Sequence, residues 1–249
     1  MRKRTLPAMI VAFLIMCAFT TQAQKSLYIG AQGGLSIPNL TATAKETNPM
    51  NEGFSSRVGP HFGLLVEKQF SNLFSVQAEV NYSGQGGKRN GIQAIRIDPF
   101  LGYIYADIKN TSRLNYIQVP VMAKINLGLS EKVKFFVNAG GFVGFLVAAN
   151  QITEGQGNLY LDKNKQSTVP FTGVTDFSRT TNVIDDLNKV NVGVIGAIGF
   201  SYDLGPGKIF IQGGGSYGFV KLQKSPVNGV NRTGAGIVTL GYAHRLGKN

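Results

Sequence analysis

From about residue 26 the chain alternates between apolar and polar positions. In Phe74–Gly84, Phe74, Val76, Ala78, Val80 and Tyr82 hold one parity, and Ser75, Gln77, Glu79, Asn81 and Ser83 hold the other. A period of two places these sets on opposite faces of a strand, and so sharp a contrast means that the faces meet different surroundings. Seven more segments read the same way: 26–36, 57–70, 113–126, 133–148, 190–204, 208–220 and 234–246. In 113–126, for example, Ile117, Val119, Val121 and Ile125 oppose Gln118, Met122 and Lys124. Pro60 and Pro120 fall inside segments, where the missing N–H removes a ladder donor and a bulge is an option.

The connections alternate too. Residues 71–73, 127–132 and 205–207 are short links, the last being Gly205-Pro206-Gly207. Residues 37–56, 85–112, 149–189 and 221–233 are long ones. Long and short links therefore open at opposite ends of an up-and-down sheet, and with eight strands both termini share the short-link end.

Two architectures fit: a soluble barrel with its apolar face inside, and a transmembrane barrel with that face toward lipid. The apolar face carries no Asp, Glu or Arg, and Lys68 stands at the end of its segment. The opposite face is Gly, Ser, Asn and Gln with few charges. That face is too sparse for a solvated exterior but suits the narrow interior of an eight-stranded barrel. Closure also leaves no unpaired edge in lipid. The predicted fold is all-β, an eight-stranded antiparallel up-and-down transmembrane β-barrel. Phe70, Phe74, Tyr82, Phe200, Tyr202, Tyr217, Phe219 and Tyr242 near segment ends supply candidate interfacial girdles.

Composition agrees. Charged residues are 15% of the 249, and glycine contributes 32. No run of ~20 apolar residues marks a membrane helix. Residues 1–23 read as a signal peptide. Arg2, Lys3 and Arg4 precede the apolar stretch Leu6–Phe19, and Thr21-Gln22-Ala23 offers a cleavage site for Sec export. A single membrane anchor is the weaker alternative, because the run is short and no basic cluster follows. A lipoprotein reading on Cys17 fails at Met16, where a small residue is needed. Residues 24–249 form the barrel domain. Processing lowers the formal charge from +12 to +9 and removes the one cysteine. An exported chain of this kind implies a Gram-negative outer membrane, crossed several times, with both termini periplasmic and the long loops at the cell surface.

Leu114-Asn115-Tyr116-Ile117-Gln118-Val119-Pro120-Val121-Met122-Ala123-Lys124 resembles the central signature of the PorT-like outer-membrane β-barrel family. Tyr82-Ser83-Gly84-Gln85-Gly86-Gly87, the Gly193, Gly196 and Gly199 spacing and Leu240-Gly241-Tyr242 are similar to it as well. The resemblance spans residues 27 to 246 and implies a barrel, not a reaction. The name-giver of the family is an accessory of the type IX secretion system. This chain departs at Gln118, where many members are acidic, at Asn191, where Asp is common, and at its non-aromatic end Leu246-Gly247-Lys248-Asn249.

The inward parity carries Glu67, Glu79, Lys124, Asp203 and Arg245, with His61 toward the long-loop end. Buried charges are costly unless paired, so Glu67 and Glu79 are expected to pair with Lys124 or Arg245. With Gln118 they form a structural polar network in the lumen. No catalytic, metal or cofactor residues are assigned. His61 and His244 fall on opposite faces, and no Ser or Asp is spaced to serve either. The scattered basic residues argue against nucleic acid, and outer-membrane lipid and lipopolysaccharide are the natural counter-charges. The sequence therefore points to a non-enzymatic scaffold or secretion accessory acting through surface loops that contact protein partners. A narrow channel for small solutes and a lipid-modifying or proteolytic enzyme are the alternatives.

Overall fold

The structure, a computed structural model, describes residues 26–41, 53–98, 102–225 and 230–246. The expected signal peptide lies outside these residues. The strands are β1 (Leu27–Thr41), β2 (Gly59–Gln69), β3 (Phe74–Asp98), β4 (Gly102–Gly128), β5 (Val133–Glu154), β6 (Gln156–Gly157), β7 (Leu159–Tyr160), β8 (Thr175–Asp176), β9 (Arg179–Asn182), β10 (Val190–Leu204), β11 (Gly207–Gly218) and β12 (Arg232–Leu246). The long strands β1–β5 and β10–β12 pair antiparallel with their neighbours. β1 pairs with β12 and β4 with β5, which closes an eight-stranded ring.

The register fixes the stagger of the ring. Following cross-strand partners from Tyr28 through Glu67, Gln77, Met122, Gly140, Ile195, Ser216 and Ala235 returns the path to β1 at Pro38, ten residues along. At ~3.3 Å per residue and ~4.8 Å between strands this shear tilts the strands by about 40°.

Alternation becomes an inside and an outside. Leu64, Val121 and Ile211 are 65%, 54% and 52% exposed, whereas Gln77, Asn81 and Ser83 are at most 1% exposed. Aromatic residues flank the apolar band at both levels. Phe70 and Phe74 pair at 6.0 Å, and Phe135 and Phe200 at 5.3 Å, near the short-link end. Phe62 stacks on Tyr82 at 5.0 Å, and Tyr217 meets Phe219 at 5.9 Å, near the other. Pro120 produces no bulge. The β3–β4 register is the same on both sides of it, Ala78 facing Val121 and Asn81 facing Gln118.

One expectation is corrected. The sequence reading ends the third strand at Gly84 and takes 85–112 as a long loop. β3 instead runs to Asp98 and β4 starts at Gly102, so nearly all of that stretch is a paired hairpin. The connection 149–189 is likewise partly strand: β5 continues to Glu154, β9 adds to its edge and β7 adds to that of β4. Spanning lipid takes ~9–11 residues per strand. β3, β4 and β5 have 25, 27 and 22, so they project well past the band.

Candidate functional site

The lumen is built from inward positions of all eight barrel strands. Glu67 on β2 receives Lys124 Nζ from β4 at 2.9 Å and Lys208 Nζ from β11 at 2.8 Å. Ser75 Oγ also donates to Glu67, at 3.1 Å. Each ammonium lies over a ring, Lys124 4.0 Å from the Phe136 centroid and Lys208 4.2 Å from that of Tyr28. Such contacts help hold a cation that has left water.

Glu79 sits differently. Its carboxylate accepts amide N–H groups from Gln32 at 2.9 Å, from Asn81 at 2.6 Å and from Gln77. Lys124 reaches it only through Gln77, whose Oε1 accepts from Lys124 at 3.2 Å while its Nε2 donates to Glu79. The network continues across the lumen. Gln212 Nε2 and Thr239 Oγ1 both donate to Gln32 Oε1, and Asn138 donates to Gln212. Gln118 is buried opposite Asn81. Arg245 is half-buried near the short-link end and is not among the cations on Glu67. The expected ion pair for Glu79 is thus replaced by amide donors, because Gln77 stands between it and Lys124.

Large side chains fill the remaining lumen. Tyr28, Leu65, Phe136, Phe210 and Ala243 pack together below the charges. Phe136 lies so close to Gly199 that a Cβ there would meet its Cζ at 2.6 Å. Above, a cavity of about 20 Å³ lies beside His61 and Glu79, room for one water. The mouth is covered by Leu40, Leu114, Tyr116, Leu146, Leu187 and Leu222. The last two come from the segment before β10 and from the connection between β11 and β12, which are joined where Asn188 N donates to Leu222 O at 2.8 Å.

Over the mouth the inner faces of β3, β4, β5 and β9 continue as a shelf. A cleft of about 580 Å³ opens on it, with Arg89, Asn110, Gln151, Thr153 and Arg179 among its walls. His61 faces the lumen and bonds Ser83 at 3.3 Å, whereas His244 is exposed on the outside beside Tyr242. No group of His, Cys, Asp and Glu among the described residues is arranged to hold a metal ion.

A closed eight-stranded ring, apolar without and polar within, has a specific match in sequence. The family profile described as "Outer membrane protein beta-barrel domain" matches residues 22–224. The chain belongs to this outer-membrane β-barrel family. No curated protein matches it. Among solved structures, this outer-membrane barrel is similar to the outer membrane protein OprG from Pseudomonas aeruginosa, at 11% identity over 91% of this chain and 99% of that one, TM-score 0.43. It is similar to Neisserial surface protein A, at 13% identity over 89% and 99%, TM-score 0.40. It is also similar to Ail, the attachment invasion locus protein of Yersinia pestis, in complex with the heparin analogue sucrose octasulfate, at 12% identity over 90% and 100%, TM-score 0.38.

Sequence reasoning missed Lys208. It opens the segment 208–220 and shares parity with Gln212 four residues on, a signal available in the sequence, but it was not counted among the lumen charges. The shelf of this barrel was missed as well, since its residues were assigned to loops.

Proposed function

We propose that this outer-membrane barrel is a non-conducting, non-enzymatic scaffold that carries a β-shelf at the cell surface for contacts with other molecules. The observation that carries the reading is the length of β3, β4 and β5, which continue as paired sheet beyond the apolar band. Ordered backbone in water positions side chains more precisely than loops do. Glu67, Glu79, Gln118, Lys124 and Arg245 have a structural part in this reading, joined by Lys208: they hold the interior closed. A filled lumen and a covered mouth speak against solute passage.

Within the family we assign the chain to the PorT-like members, on Tyr82-Ser83-Gly84-Gln85-Gly86-Gly87 and the Leu114–Lys124 signature. Residues 1–23 act as the signal peptide, the termini and short links face the periplasm, and the shelf faces the medium. Lipopolysaccharide surrounds the barrel.

Cysteine reporters test the orientation. The processed chain has none of its own, so Thr172→Cys and Asn72→Cys each give one addressable thiol. A membrane-impermeant maleimide should label the first on intact cells and the second only after lysis. The reverse pattern ends the reading. Step-like conductance in planar bilayers would end its non-conducting part.

A further inference from the structure

The register of the projecting sheet brings four residues into one row across four strands. Arg89 on β3 faces Asn110 on β4, Asn110 faces Thr153 on β5, and Thr153 faces Arg179 on β9. The next row toward the barrel is Ser112, Gln151 and Thr181. Cross-strand partners share a face, so two guanidinium side chains flank a floor of amides and hydroxyls. Three strand spacings separate the ends of the row, about 14 Å between backbones. The cleft of about 580 Å³ stands on this floor, and Arg96 and Ser178 also line it.

The parts are held in place. Arg89 stacks on the Phe54 ring at 5.1 Å. Gln93 beneath the cleft is 4% exposed and donates to the carbonyls of Arg89 and Ile108 at 3.1 and 2.7 Å. Thr153 is 7% exposed. Among the described residues Arg179 enters no ion pair. The acidic group on the cleft wall is Asp176, whose Oδ1 accepts the Ser178 amide at 2.9 Å. Among the described residues that line the cavity, three arginines, Arg89, Arg96 and Arg179, stand against this one aspartate.

We propose that this cleft binds an acidic saccharide. Guanidinium groups recognise the planar or tetrahedral oxygens of carboxylate, sulfate or phosphate by paired N–H donors. Asn110, Gln151 and Thr153 offer the donors and acceptors that sugar hydroxyls need. The volume falls within the range of small-ligand pockets. Arg89 stands seven residues beyond the Tyr82 girdle, roughly 20 Å along the strand, and the cleft opens over the barrel mouth, not toward lipid. That placement favours a saccharide arriving from the medium over the core sugars of surrounding lipopolysaccharide. The biological sense of the site rests on the shelf facing outward, as proposed above, but binding itself does not.

Calorimetry on the purified full chain in detergent tests it. The probes are a sulfated uronate disaccharide, a digalacturonate, deacylated lipopolysaccharide core and neutral maltose. The acidic disaccharides should bind and maltose should not. Arg179→Gln should weaken binding about tenfold or more, the scale of a lost charge-assisted contact. Lys109→Gln, on the opposite face of β4, should leave it unchanged. Arg179 is exposed on a short edge strand, and heat-modifiable migration on gels reports that the variant barrel is folded. Tighter binding of the lipopolysaccharide core, still dependent on Arg179, keeps the site and changes the source of its ligand. Three results overturn the proposal: no acidic probe binds, maltose binds as well as they do, or Arg179→Gln and Lys109→Gln weaken binding equally. None depends on orientation in the cell, so failure here and failure of the cysteine test are separate outcomes.

Discussion

The ammonium of Lys208 meets the carboxylate of Glu67 at 2.8 Å across the lumen, although 141 residues separate them in the chain. Lys124 reaches the same carboxylate from β4. One acid thus holds two cations, both almost wholly buried. Glu67→Ala should cost ~3–5 kcal/mol in guanidinium unfolding of the detergent-folded barrel, because two buried ammonium groups lose their partner. In a double-mutant cycle Glu67→Ala and Lys208→Ala together should cost less than their sum. Strict additivity would remove the coupling.

Glu79 should behave otherwise. Its oxygens accept neutral amides from Gln32, Gln77 and Asn81, and no cation loses a direct partner when it goes. Leaving buried amide donors unsatisfied costs ~1–3 kcal/mol. Glu79→Ala should therefore destabilise less than Glu67→Ala in the same unfolding assay. A larger loss for Glu79→Ala would mean that it carries a charge interaction not described above.

A Cβ at Gly199 would press on the Ile211 carbonyl oxygen of β11 and on the Phe136 ring of β5, so a side chain there must displace backbone as well as ring. Gly199→Val should cost ~1–3 kcal/mol by overpacking. Adding Phe136→Leu should recover part of that loss, as read by unfolding midpoint. Failure of the second change to help would separate the glycine from the ring.

The turn at 162–167 carries a pH response. Asp162 accepts the backbone N–H groups of Asn164, Gln166 and Ser167, at 2.8, 3.2 and 2.7 Å. These bonds, that from Gln166 first, hold its pKa below the ordinary value of 3.8. A carboxylate with a depressed folded pKa stabilises the turn above its unfolded pKa, and the effect is lost as pH falls through the folded value. Amide exchange at Ser167, corrected for intrinsic rates, should therefore rise as pH drops below about 3.8 and stay low above it. In Asp162→Asn this response should vanish.

The barrel was legible wherever lipid lies on one side. Val190–Leu204 has the same bounds in sequence pattern and structure, since hydrocarbon outside and a packed lumen inside impose opposite chemistries on alternate residues. Beyond Gly84 that contrast ends. Lys88, Arg89 and Asn90 are consecutive polar residues on a strand whose two faces are no longer divided between lipid and lumen, so alternation disappears although pairing persists. The lumen residues were legible by parity, but their partners were not. Parity tells which way Glu79 points and nothing of Gln77 beside it. The row from Arg89 to Arg179 depends on register over four strands, which no local pattern records.

Glu67, Glu79, Lys124 and Lys208 together sum to zero formal charge. The cationic surplus of the chain is consequently carried elsewhere. Exterior composition can drift, exchanging lysine for glutamate as surroundings demand, while the electrostatic balance of the sealed middle stays untouched.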